Sequence, residues 1–137
     1  VKFIGDCKPD MCGICPFVPH TDTAFAKEPP GTVELTCFLL SIIRLLHPAV
    51  LLPATTALGT IHPRGRELGI LSGANVVMPN LSPEDAKSKY ELYNNKLNTG
   101  AEAAQGLAAL GRRMARIGYE VSMGRGDVKK DGRHGRV

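Results

Sequence analysis

Residues Pro53 to Asn80 read PATTALGTIHPRGRELGILSGANVVMPN, and the punctuation of this stretch decides the fold. The apolar run from Val50 to Ala54 reads as a strand that breaks into two hydroxyls, Thr55 and Thr56. Pro63 opens a short helix over residues 63–72 and Gly73 closes it, since proline suits a first helical turn and glycine the left-handed stop. Ala74 to Met78 is the next apolar strand, before Pro79-Asn80 turns the chain out. Strand, crossover helix, strand is the repeating unit of a parallel α/β sheet. In β/α barrels the side chains at the C-terminal ends of strands line the mouth, where such folds build their sites. Thr55 and Thr56 fall at such an end, followed by Gly59 and Thr60. Neutral hydroxyls there suit hydrogen bonding to a carboxylate or similar anion, without making either residue catalytic.

The same alternation extends on both sides. Met11 to Val18 reads as a strand that ends in a polar, proline-stiffened loop, PFVPHTDT. Thr32 is placed to cap a helix with Glu34 in its first turn, running to about Leu46. Its apolar positions, Val33, Leu35, Phe38, Leu39, Ile42, Ile43 and Leu46, make the broad stripe of a helix packed on a sheet. Beyond Asn80, Ser82-Pro83-Glu84-Asp85 is a helix start, and that helix carries Tyr90 and Tyr93 on one face. Thr99 caps a further helix with a seam at Ala103, Leu107, Leu110, Met114 and Ile117, closed by Gly118, and Tyr119 to Met123 reads as a last short strand. The expected organisation is β/α units over 1–80, a helical extension over 81–123, and a basic, disordered tail over 124–137. Three strands with their helices are only the C-terminal portion of a (β/α)8 barrel, which has eight strands in about 250 residues. The chain starts at Val1 in what reads as the end of a helix, which suggests a fragment.

Composition bounds the function. The chain has 137 residues, 43% of them apolar, and a formal net charge of +4. Residues 124–137 hold five basic and two acidic residues, so most of the excess belongs to the tail. A nucleic-acid binder would carry a basic stripe on a folded face, with aromatics for stacking; here aromatics are 5% and Trp is absent. The longest apolar region, Leu35 to Leu46, falls short of the roughly 20 residues a bilayer span needs. With no signal-peptide pattern, the four cysteines read as reduced thiols in a cytoplasmic protein. The expectation is therefore no nucleic acid and no membrane.

Cys7, Cys12 and Cys15 are spaced C-x4-C-x2-C. Cys12 and Cys15 fall in the expected strand, where an odd separation sends side chains to opposite faces, so they do not grip one cluster. They are expected to be buried structural thiols, and no metal ligand is assigned. His20, His47, His62 and His134 are dispersed, with His20 and Asp22 read as loop and turn residues. No P-loop, dinucleotide fingerprint or Ser-His-Asp set is present.

Four motifs in order, PFVPHTDT at 16–23, PATTALGT at 53–60, GANVVMPN at 73–80 and YELY at 90–93, resemble the radical S-adenosylmethionine (SAM) maturases of FeFe-hydrogenase, the HydE family. The resemblance covers residues 1 to about 123 and only the C-terminal part of that family. It implies a SAM cofactor and a [4Fe–4S] cluster whose C-x3-C-x2-C ligands lie upstream of this segment. Val18, Tyr90 and Leu92 match positions that contact SAM; Thr55, Thr56, Met78 and Tyr93 match positions that line the substrate cavity. The implied role is assembly of the di-iron subsite of the hydrogenase. A small organometallic or thiol-containing substrate and other hydrogenase maturation proteins are the implied partners. Thr21 and Ala24 replace prolines of the family's loop, which should loosen the surroundings of Val18. Two other readings stand beside this one: another radical SAM enzyme of the biotin synthase or methylornithine synthase type, or a non-catalytic half-barrel interaction module.

Overall fold

A computed structural model describes residues 2–78 and 103–128. The helix expected from Ser82, the cap Thr99 and the residues Tyr90, Leu92 and Tyr93 lie outside the described residues. The elements are α1 (Lys2–Cys7), α2 (Val33–Leu46), β1 (Pro53–Ala54), α3 (Thr56–Ile61), α4 (Gly65–Leu71), β2 (Val76–Val77) and α5 (Ala103–Ala115).

β1 and β2 pair in parallel, Pro53 with Val76 and Ala54 with Val77. On the other side of the same run, Met11 forms a parallel bridge with Leu51. Leu51 donates its N–H to Asp10 and accepts from Cys12, while the Leu52 carbonyl accepts from Asn75 and Val76. The run 51–54 is thus central, with 10–12 on one side and 75–77 on the other. Chain order equals spatial order, and helices fill both crossovers, as parallel neighbours require. This is a mixed helix-and-strand, α/β arrangement.

Several elements depart from the sequence expectation. The strand expected over 11–18 pairs only at its start, because Pro16 and Pro19 bring no N–H to a ladder. The helix expected over 63–72 begins at Gly65, and a second helix, α3, occupies residues 56–61, where the sequence reading placed no helix. Residues 119–123 form no strand; the chain leaves Gly118 at φ +82° and runs irregularly. α2 has the expected span and cap, with the Thr32 hydroxyl accepting the Leu35 N–H at 3.2 Å and Glu34 in the first turn. Its packed face differs from the expected stripe: Thr36, Leu40 and Ile43 are buried, whereas Leu35, Phe38 and Leu46 are exposed, because the helix is rotated to set Leu40 and Ile43 on the core.

The core joins Leu40 and Ile43 of α2, Val50, Leu52 and Ala54 of the central run, Leu58 of α3, Ile70 of α4, and Leu110 and Met114 of α5. Val50, Leu52 and Ala54 alternate along the strand, so they share the face covered by the helices. Gly69 of α4 lies against this face: a Cβ there would stand 3.1 Å from the Ala54 Cβ. Gly73 closes α4 at φ +105°, where a Cβ would also meet Arg44 at 2.7 Å. Arg44 in turn ties the end of α2 to that turn, donating to the carbonyls of Gly73 at 2.8 Å and Pro48 at 2.6 Å. Desolvation in this position lowers the Arg44 pKa from its ordinary value.

Two polar devices fix the register and the last helix. The Asn75 side-chain oxygen accepts the Leu52 N–H at 2.8 Å while the Asn75 N–H donates to the Leu52 carbonyl. One side chain therefore satisfies a backbone donor of a residue with 0% exposure. Arg113 of α5 grips Glu67 of α4 with both fork nitrogens at 2.6 Å and also reaches the Pro63 carbonyl at 2.7 Å. Burial pushes the Glu67 carboxyl up, but the Arg113 hydrogen bonds and charge outweigh it and hold its pKa below the ordinary value. The same bonds raise the pKa of Arg113. Among the described residues, no helix is long and apolar enough to cross a membrane.

Candidate ligand site at the strand ends

The C-terminal end of β1 delivers Thr55 and Thr56 directly into α3. Thr55, with extended backbone at φ −73° and ψ 160°, is the N-cap: its hydroxyl oxygen accepts the Leu58 N–H at 3.4 Å. It is only 7% exposed. Thr56 is the first helical residue and half-buried, and its carbonyl accepts from the Thr60 hydroxyl at 3.1 Å. A hydroxyl has one proton and two lone pairs, so accepting a bond leaves each threonine its own proton to donate.

The second residue of α4 completes the geometry. Arg66 is 8% exposed and sends Nη2 to the Thr56 hydroxyl oxygen and to the Met78 carbonyl, both at 3.5 Å. These are long contacts, at the outer limit of hydrogen bonding, yet they set a guanidinium charge between the ends of β1 and β2. A crossover helix starts beside the strand ends, and side chains in its first turn lean back toward its N-terminus. The sequence reading missed Arg66. One signal was present: a cation in the first turn opposes the helix dipole, so its position there needs another reason.

Of the residues singled out in the sequence, the structure joins Thr56 to the Met78 backbone through Arg66. The Met78 side chain itself is 54% exposed. Val18 stands half-buried in the loop 17–31, and no hydrogen bond links it to the threonines among the described residues. That loop is folded on itself: Gly31 donates to the Phe17 carbonyl at 2.8 Å, Asp22 N–H donates to the His20 Nδ1 at 3.1 Å, and the Phe17 and Phe25 rings meet edge-on at 6.4 Å. His20 and Asp22 are thus turn residues, as read from the sequence.

The cysteines differ from expectation. Cys7 and Cys15 are exposed and Cys12 and Cys37 half-buried, rather than buried structural thiols. Among the described residues no group of three His, Cys, Asp or Glu side chains converges to hold a metal ion. Cavities open elsewhere. One of about 730 Å³ lies at the opposite end of the central run, beside Asp10, His47 and Val50. Another, of about 460 Å³, runs beside β2 toward Tyr119 and Val121. Neither gathers hydroxyls and a buried cation as the strand ends do.

Fold and site together define a parallel α/β protein with a polar cluster at its strand ends. No protein-family model matches the sequence. Over 88 residues, however, the chain is 48% identical to the [FeFe] hydrogenase maturase subunit HydE of Thermotoga maritima. The stretch is 64% of this chain and 25% of that protein, so the chain spans about a quarter of the length of the curated relative it matches. The likeness drawn from the four motifs is therefore shown, at the level of a fragment.

Proposed function

We propose that this chain is the C-terminal part of a HydE-type radical SAM enzyme that assembles the di-iron subsite of FeFe-hydrogenase, contributing one wall of the SAM and substrate cavity. The observation that carries the reading is the 48% identity over 88 residues. In this reading residues 1–80 are the last β/α units of a (β/α)8 barrel, 81–123 its helical extension and 124–137 a tail. Parallel strands in chain order, with helices in both crossovers, support the barrel.

The described residues do not fit a [4Fe–4S] cluster, since Cys7, Cys12 and Cys15 do not converge. The cluster, and the radical chemistry it supplies with SAM, belongs to the part of the protein upstream of this segment. By itself the chain is inactive in this reading. What its own residues do is bind and orient. Val18, Tyr90 and Leu92 pack around SAM. Thr55, Thr56, Met78 and Tyr93 face the substrate, a small organometallic or thiol-containing molecule, in concert with other maturation proteins in the cytoplasm. In this reading the two threonines donate their protons to an anionic group of that substrate, and hydroxyl oxygens that already accept from the Leu58 N–H and Arg66 support it.

A chimera tests the proposal. Residues 1–123 replace the matching segment of the Thermotoga maritima maturase, and hydrogenase activation is measured in a maturation assay. Activation within about tenfold of the parent is the expected outcome, a loss of no more than ~1.4 kcal/mol in barrier. A folded chimera with no activation, while still cleaving SAM, would remove this chain from that function.

One observation favours a second reading. Leu35, Phe38 and Leu45 of α2 are spaced to share a face and are 57%, 61% and 80% exposed, as an interaction module would require. Retained activation by the chimera decides against that module.

A further inference from the structure

The Thr56 hydroxyl is approached from one side by the Arg66 guanidinium, at 3.5 Å, and the same nitrogen reaches the Met78 carbonyl. Arg66 has only donors, so the hydroxyl oxygen must accept. We propose that Arg66 is a positioning residue of the strand-end site. By donating to the Thr56 oxygen it commits that hydroxyl's own proton toward the ligand, and it adds the positive charge that makes the site selective for a carboxylate or comparable oxyanion. The proposal rests on the reading of Thr55 and Thr56 as ligand-binding residues, and adds a residue and a charge requirement to it.

Three features of Arg66 converge on this role. It is buried, so its charge is screened less than at the surface. It stands on α4, anchored by Glu67–Arg113 one residue further along, so its backbone is held while its side chain spans the strand ends. It touches both strand ends, Thr56 after β1 and Met78 after β2, so it also sets the spacing between them. Thr55 is prepared in a parallel way, its oxygen occupied by the Leu58 N–H.

The test uses the 137-residue chain and mercaptoacetate, a small thiol-bearing carboxylate, titrated while the threonine methyl signals are followed by NMR. Arg66→Gln and Thr56→Val should each weaken binding about tenfold, and the double variant should be little weaker than either, because both remove one coupled unit. Losses that multiply in the double variant would overturn the proposal, since a purely structural role of Arg66 is independent of the Thr56 hydroxyl. Neutral mercaptoacetamide should bind weakly and be indifferent to Arg66→Gln. Wild-type binding unaffected by Arg66→Gln defeats the role of Arg66 while leaving the threonine reading intact. Failure of the wild type to shift any Thr55 or Thr56 signal defeats both. Should Arg66→Gln not fold, Arg66→Lys keeps the charge and a donor and is expected to bind within about threefold of wild type; a tenfold loss in that folded variant refutes the proposal.

Discussion

Replacing Gly65 by alanine sets two opposing effects against each other. Alanine is the better helix former by about 1 kcal/mol, and Gly65 is not in the left-handed region, so backbone preference alone favours the change. Space forbids it. A Cβ at residue 65 would stand 1.9 Å from the Leu58 carbonyl oxygen, 2.5 Å from its carbon and 3.1 Å from the Gly59 nitrogen. All three are backbone atoms of α3, so no rotamer change relieves them. α4 must withdraw from α3 until ordinary contact is restored, at about 3.5 Å or more between carbons. Overpacking costs about 1–3 kcal/mol or more, and the withdrawal opens the seal over Leu58, whose full burial is worth roughly 1.5–3 kcal/mol. Partial loss of that burial plus the steric cost, less the propensity gain, gives a net destabilisation of about 3 kcal/mol. The melting temperature should fall on the order of 10 °C. Circular dichroism during thermal and urea unfolding measures both. Gly111→Ala on α5 is the control: a Cβ there meets nothing within 4 Å, so propensity acts alone and stability should rise by about 0.5–1 kcal/mol. A Gly65→Ala protein as stable as wild type, alongside a stabilised Gly111→Ala, would refute the packing argument for α3 and α4.

Other outcomes follow from particular bonds. Glu67→Gln should cost about 1–3 kcal/mol in urea unfolding, since it leaves the half-buried Arg113 without its bidentate acceptor. Because the folded Glu67 pKa lies below its ordinary 4.5, the pair stabilises the fold above that value and the gain is lost as pH falls further. Wild-type stability should therefore decline more steeply below about pH 4.5 than that of Glu67→Gln. Asn75→Ala strands the buried Leu52 N–H and should cost about 1–3 kcal/mol; hydrogen exchange at Leu52 reports it directly. Thr55→Val removes a helix cap and should cost about 1 kcal/mol in stability, whereas Thr55→Ser should keep the cap; circular dichroism during thermal unfolding measures both.

The helix and strand pattern was legible wherever the signal was local. α2 carries its cap and its acidic first turn within consecutive residues, although its buried face, Thr36, Leu40 and Ile43, is not the stripe that apolar content marks, since apolar residues surround the helix. Gly73 announces the end of α4 by chemistry that only a left-handed turn demands. α3 was missed because its six residues, TALGTI, are strand-like in composition, although Thr55 before Ala57, Leu58 and Ile61 is a cap followed by helical spacing. The strand expected over 11–18 pairs only at its start because Pro16 and Pro19 outweigh its apolar content. At the strand ends, Thr55 and Thr56 stood out by type and position. Arg66 and Asn75 did not, because their partners are 10 to 23 residues away and no local pattern records a side chain meeting a distant backbone. The Glu67–Arg113 pair, 46 residues apart, was invisible for the same reason.

The Gly31–Phe17 hydrogen bond closes a neck at the base of the loop between them, tight enough that a Cβ on Gly31 would stand 2.9 Å from the Phe17 nitrogen. Chain that leaves the scaffold at Phe17 returns to it at nearly the same point, ready to enter α2 at Val33. The segment beyond the neck is thereby an exchangeable cassette. Its tip, exposed throughout residues 21–30, can lengthen, shorten or receive a grafted peptide without displacing the helix that follows. Evolution can vary what covers this edge of the molecule while leaving the sheet untouched, and an affinity handle placed at residues 24–27 would leave the strand-end threonines where they are.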